Sequence, residues 1–144
     1  MLGGAVITVL GPVKTDYEDV NDVSLVLMVT YGKTRFLFTG DMEQIAETDL
    51  LDSGADVKAD VLKVGHHGSY SSTSYRFLRE VAPTYAVISA GGSNEYGHPH
   101  DSTLSKLKNA DVTIYRTQKS GCTLGASGLL QVKSIHAAGF HGFA

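Results

Sequence analysis

A chain of 144 residues, 42% of them hydrophobic, is long enough for one core and leaves little room for two domains of ordinary size; its composition excludes a disordered or collagen-like chain. Twelve basic and 15 acidic residues give a net charge of −3, so overall charge does not advertise a nucleic-acid surface, although a local patch stays open. The one cysteine, Cys122, excludes an internal disulfide and a cysteine zinc cluster and leaves the redox compartment undecided, while six histidines stand out against 12 Lys plus Arg.

Residues 1–10 carry no basic flank, and their apolar run is too short for a signal peptide or a membrane span, so they read as a strand ended by Gly11-Pro12. Residues 14–22 form a polar loop with Asp16, Glu18, Asp19 and Asp22, whose spacing does not fit an EF-hand; a solvated loop is expected. The next apolar run, residues 23–31, is valine-rich and interrupted by Ser24 and Thr30, which suits a buried strand. Residues 24–30 and 35–39 then read as a β-hairpin turning at Tyr31-Gly32-Lys33-Thr34.

From Met42 the period changes. Met42, Ile45, Ala46 and Leu50 make the stripe of an amphipathic helix, with Gly54 past its end. Residues 60–64 suit a short buried strand, and Tyr75, Leu78 and Ala82 mark a second helix stopped by Pro83. Residues 85–90 form a strand, Leu104 and Leu107 sit on a third helix, and 112–116 form a last strand. This alternation predicts a sheet covered by helices, of the α+β or α/β class. Beyond Thr117, Gly121, Gly125, Gly128 and Gly139 interrupt short apolar pieces, so no structure is assigned there, and His136 and His141 read as solvated.

Three polar clusters each follow a strand: Thr39-Gly40-Asp41, Gly65-His66-His67-Gly68-Ser69, and Asn94 to His100 with Tyr96 and His98. If those strands run the same way, the three loops meet at one edge, where a carboxylate and several imidazoles are the donor types of zinc or a similar divalent cation. Gly40, Gly65, Gly68 and Gly97 would let backbone approach closely. Gly40-Asp41 is equally a turn or helix cap by itself, and His98-Pro99-His100 a turn with surface histidines. His66 and His67, as neighbours on an extended chain, would point opposite ways, one toward the site and one packing or orienting it.

In this order, Asn21 to Leu27, Phe36-Leu37-Phe38-Thr39-Gly40-Asp41 with Glu47, Leu62-Lys63-Val64-Gly65-His66-His67-Gly68-Ser69, Pro83 to Ser89 leading to Asn94-Glu95-Tyr96-Gly97-His98-Pro99, and Tyr115-Arg116-Thr117 resemble the metallo-β-lactamase-fold hydrolase domain of ComEC-type DNA-uptake proteins. The resemblance covers residues 4 to about 121. It implies an αββα sandwich with a binuclear zinc or manganese site. By that likeness Asp41 bridges two metals, His98 is a ligand of the second, and His66 or His67 is a ligand or the imidazole that protonates the leaving group. Asn21, Ser24 and Ser69 would lie near the site.

The family's His-x-His-x-Asp-His motif would lie upstream of Asn21, and no histidine precedes His66. The chain therefore reads as the C-terminal portion of such a domain (residues 1–121), a partial αββα sandwich with a poorly determined tail (122–144) and at most partial metal occupancy. The complete form would hydrolyse a phosphodiester, with DNA during uptake as the candidate substrate. Whether this chain is itself an active enzyme, and where it resides, stay open; its exposed sheet would favour self-association. The alternative is a non-catalytic, metal-free binding module or degenerate remnant, with a basic patch built from Lys58, Lys63, Arg76, Arg79, Lys106 and Lys108. A dimer assembling a mononuclear site from His66, His67, His98 and His100 is a third reading.

Overall fold

A computed structural model describes residues 3–92, 94–117, 122–127 and 129–134. Strands β1 (Val6–Gly11), β2 (Val26–Tyr31) and β3 (Thr34–Phe38) form an antiparallel meander. The expected turn between β2 and β3 is present, with Gly32 at φ 60°. Helix α1 (Gln44–Asp52) leads to β4 (Val61–Lys63), α2 (Tyr75–Val81) to β5 (Tyr85–Ile88), and α3 (Asp101–Asn109) to β6 (Thr113–Arg116). β3 through β6 are mutually parallel, and the six strands lie in chain order across one mixed sheet. Helices and strands thus alternate as the period changes predicted, in an α+β fold consistent with a partial metallo-β-lactamase fold.

Cross-strand register assigns the two faces of the sheet. The row Met28, Leu37, Leu62 and Ala86 is buried and joins one core with Ala46 and Leu50 of α1, Phe77, Leu78 and Val81 of α2, and Leu107 of α3. The next row is Val9, Leu27, Phe38, Lys63, Val87 and Tyr115, and it turns to the opposite face. There Val9 and Phe38 stay 63% and 42% exposed, an apolar surface of the kind expected of half a sandwich.

Several local readings change. The loop of residues 14–22 is not solvated throughout: Asp22 is only 2% exposed, in a 3-10 turn spanning Val20–Val23. Its Oδ1 accepts the backbone N–H of Glu43 at 2.9 Å and of Ala46 at 3.4 Å, so a carboxylate remote in sequence caps α1. Met42 precedes α1, whose buried face is Ala46, Glu47 and Leu50, and Ile45 is 67% exposed. On α2 the buried residues are Phe77, Leu78 and Val81; Tyr75 is exposed, and Ala82 is the left-handed C-cap at φ 47°. A tail left without structure by the sequence holds two paired antiparallel strands, β7 (Cys122–Ser127) and β8 (Leu129–Ser134). His136 and His141 lie outside the described residues.

Candidate functional site

Because β3, β4 and β5 are parallel neighbours, the segments leaving their C-terminal ends emerge along one edge. The first holds Asp41, the second His66 and His67, the third His98 and His100. His66 lies with its ring centroid 5.3 Å from that of His98 and 6.5 Å from that of His67, while His67 and His98 stack at 6.4 Å. The convergence expected from three separate motifs is therefore realised.

Backbone and small side chains fasten these segments together. The His66 N–H donates to Gly40 O at 3.1 Å, and the Thr39 hydroxyl to Lys63 O at 2.9 Å, joining the first segment to the second. Between the second and third, the His100 N–H donates to Gly68 O at 3.0 Å and the Thr103 hydroxyl to Ser69 O at 2.9 Å. Two glycines are required by this closeness. A Cβ on Gly40, at φ 55°, would meet Ser24 Cβ at 2.9 Å, and one on Gly68, at φ 88°, would meet Pro99 Cβ at 2.5 Å. Gly65 is also close-packed, with its position for a Cβ 3.1 Å from Met42 O. Gly97 differs from the expectation: nothing lies within 4 Å, and only its φ of 68° asks for glycine.

The paired histidines are not on an extended chain. They sit in the turn Gly65–Gly68 with φ 44° at His66 and 54° at His67, both left-handed. This curvature holds both rings at the same edge instead of sending them to opposite faces. Each Nδ1 has an acceptor: His66 donates to Glu43 Oε1 at 2.9 Å, and His67 to the Ser89 carbonyl. Glu43 Oε1 also accepts from the Ser71 hydroxyl at 2.6 Å, and Ser71 Oγ lies 2.8 Å from Ser69 Oγ.

His67 Nε2 stands 3.5 Å from Asp41 Oδ1. With Nδ1 donating to a carbonyl, an unprotonated Nε2 would present a lone pair to a carboxylate oxygen, an arrangement that calls for positive charge between them, either a ring proton or a cation. This chemistry fits the start of a metal site. The full set does not: among the described residues no group of three or more His, Cys, Asp or Glu is arranged to hold an ion. His100, the remaining imidazole, spends Nδ1 accepting the Tyr70 N–H at 3.1 Å, so the four-histidine mononuclear site is not assembled within one chain.

The supporting residues take different places. Ser24 touches the site directly, its hydroxyl accepting the Asp41 N–H at 2.9 Å. Ser69 is buried; its N–H donates to His66 O at 2.8 Å, and its hydroxyl reaches the site through Ser71 and Glu43. Asn21 lies in the turn before, its N–H donating to Asp19 at 2.8 Å and its carbonyl accepting from Ser24.

Three residues at the edge have roles there that the sequence pattern does not assign. Glu43 is one. Asn94 is another: its amide donates to His98 O at 2.7 Å while its carbonyl accepts the His98 N–H at 2.7 Å, clamping that peptide from both sides. The third is Lys63, grouped above with a basic patch. Its ammonium donates to Gly40 O at 3.4 Å; burial pulls its pKa down and Asp41 partly restores it. Burial, and then electrostatic coupling to the neighbouring imidazoles of His100, His66 and His67, likewise hold the His98 pKa below the ordinary imidazole range.

Of the rest of the basic patch, Arg76, Arg79 and Lys106 line one cavity and Lys58 shares another with Arg76, but three of these charges are already engaged. Lys106 is buried and donates to Ser72 O at 2.8 Å, Arg76 pairs with Asp52 at 2.6 Å, and Arg79 pairs with Glu80 at 3.4 Å.

Residues 1–92 match the metallo-beta-lactamase superfamily. The chain is 41% identical over 113 residues to the ComE operon protein 3 of Bacillus subtilis, a match covering 78% of this chain and 15% of that protein. It is 37% identical over 113 residues to the competence protein ComA of Neisseria gonorrhoeae, covering 78% of this chain and 16% of the relative. Recombination protein 2 of Haemophilus influenzae is 40% identical over 101 residues, 70% of this chain and 13% of that protein. The match thus spans less than a fifth of the length of each of these relatives. Among the described residues no helix is long and apolar enough to cross a membrane.

Proposed function

This chain belongs to the metallo-β-lactamase superfamily and is of the ComEC type, and from that premise we propose that its histidine-lined edge is part of a hydrolytic centre for a phosphodiester, with DNA as the substrate. One observation carries the reading. Asp41, His66, His67 and His98 converge at the C-terminal edge of parallel strands, with the carboxylate of Asp41 facing His67 Nε2 at 3.5 Å.

In such a hydrolysis a water gives up a proton as its oxygen forms a new bond to phosphorus, the bond from phosphorus to the leaving oxygen breaks, and that oxygen takes up a proton. His66 or His67 would take up the water proton on Nε2 and pass it to that oxygen, a role supported by each ring having Nδ1 anchored by an acceptor and Nε2 directed away from that anchor. Lys63, partly buried beside the Asp41 turn, adds positive charge where the phosphate would lie. The zinc or manganese that the superfamily implies would find Asp41, His67 and His98 as partial donors and would need further donors beyond these, in line with the missing His-x-His-x-Asp-His motif.

The test is turnover of bis-p-nitrophenyl phosphate with zinc or manganese added, beside a count of bound metal. The expected result is little turnover by the chain alone, a gain when a polypeptide carrying the His-x-His-x-Asp-His segment is joined upstream, and loss of that gain in Asp41→Ala and His98→Ala. Strong turnover that both substitutions leave unchanged would overturn the reading.

A further inference from the structure

The two adjacent histidines are held by different partners, and the difference assigns them different work. We infer that Glu43 is a positioning residue for His66, fixing it as the tautomer with the proton on Nδ1 and leaving Nε2 with a lone pair for the site. The inference deepens the hydrolytic reading above and rests on it for its catalytic meaning, though not for its geometry.

An ionised carboxylate can only accept, so the 2.9 Å contact between His66 Nδ1 and Glu43 Oε1 requires the proton on Nδ1. The same oxygen accepts from the Ser71 hydroxyl at 2.6 Å, and Ser69 Oγ, at 2.8 Å from Ser71 Oγ, is left to donate to it. The buried Ser69 is thereby the far end of a relay that fills a second lone pair of the carboxylate and keeps it from rotating.

Glu43 is also fixed through its main chain. Its N–H donates to the buried Asp22 at 2.9 Å, and the next N–H, of Gln44, donates to Ser71 O at 3.0 Å. A solvated surface glutamate that happened to lie near a histidine would have none of these constraints. His67 has no such partner on Nδ1; a neutral main-chain carbonyl holds it instead. A carboxylate fixed in this way holds the ring's tautomer and orientation more firmly than a single main-chain carbonyl does, so His66 is the more strictly positioned of the pair.

The experiment is long-range ¹H–¹⁵N correlation of the imidazole rings in the full 144-residue chain, followed by Glu43→Ala and Glu43→Gln. Wild type is expected to show His66 with a protonated Nδ1 and an unprotonated Nε2. Glu43→Ala should move the proton to Nε2, and Glu43→Gln, whose carbonyl can still accept, should restore the wild-type pattern. In the upstream-joined protein that turns over, Glu43→Ala should lower kcat by roughly 10–100-fold with KM little changed, and Glu43→Gln should recover part of it.

A wild-type His66 protonated on Nε2, or an alanine variant with an unaltered tautomer and unchanged kcat, would overturn the assignment. Absence of hydrolysis beside the expected tautomer pattern would instead defeat the hydrolytic reading alone. Circular dichroism of each variant separates these outcomes from unfolding, and Ser71→Ala, which leaves the Glu43 carboxylate in place, serves as a milder probe of the same relay.

Discussion

Asp22 and Glu43 are 21 positions apart in the chain, yet the carboxylate of the first accepts the N–H of the second at 2.9 Å. That bond ends the polar loop, starts α1 and holds the glutamate that anchors His66. Replacing Asp22 with alanine should leave two N–H groups, the buried one of Ala46 and the half-buried one of Glu43, short of an acceptor and cost about 1–2 kcal/mol of stability. Urea denaturation of Asp22→Ala measures it, and Asp22→Asn, which keeps an acceptor, should recover most of the loss.

Gly68 and Gly97 share a left-handed backbone but not the same surroundings. Alanine at Gly68 meets Pro99 as well as an unfavourable φ and should cost about 2–4 kcal/mol, separating the His66 and His98 segments. Alanine at Gly97 meets only the backbone penalty, about 1 kcal/mol. Comparing the two variants by thermal denaturation separates steric fit from conformation; equal losses would show that the contact with Pro99 is dispensable.

The lowered pKa of His98 couples folding to acidity. For a base whose folded value lies below its unfolded value of 6.5, the neutral ring is the favoured folded form, so its contribution is present above 6.5 and is lost as pH falls through the folded value. His98→Gln should therefore lose less stability than wild type on acidification from pH 7.5 through 6.5 and below. Glu47 acts with the opposite sign. Burial raises its pKa against the hydrogen bonds from Ser74 and Thr73, so it favours the fold as pH falls toward 4.5. Subtracting the wild-type pH curve from that of His98→Gln isolates the histidine, since Glu47 is common to both.

The uncovered sheet face predicts self-association. Phe38→Glu and Val9→Lys place charge on that face without touching the core row, and light scattering should show smaller species and higher solubility than for wild type. An unchanged size distribution in the double variant would show that the face is not a contact surface.

The order of strands and helices was legible because hydrophobic period changes at each junction, and three strand-end motifs told which segments would meet. What local pattern could not carry was partnership over distance. Asp22 looked like one of four loop carboxylates, and only folding brings it under α1. Glu47 breaks the apolar stripe of α1 and yet is 1% exposed, because its two oxygens cap the backbone of Thr73 and Ser74 at the start of α2. From sequence alone His66 and His67 read as neighbours on an extended chain, because adjacent residues in strands alternate. The left-handed turn that they adopt has no signature beyond the flanking glycines. Lys63 reads as one more surface charge, since nothing in the sequence distinguishes a lysine at the last position of a buried strand from one on a helix face.

The sheet follows the chain: each strand pairs with the one that precedes it, so no strand must wait for a distant partner. Assembly can begin at the tight turn around Gly32 and add one strand and helix at a time, a route of low loop-closure cost. On that route Asp41 is in place early, the two left-handed histidines arrive with the fourth strand, and His98 arrives only after the fifth. The histidine edge is thus complete only once the segment after the fifth strand is laid down, and a collapsed chain that stops at the fourth strand would be compact and still lack His98.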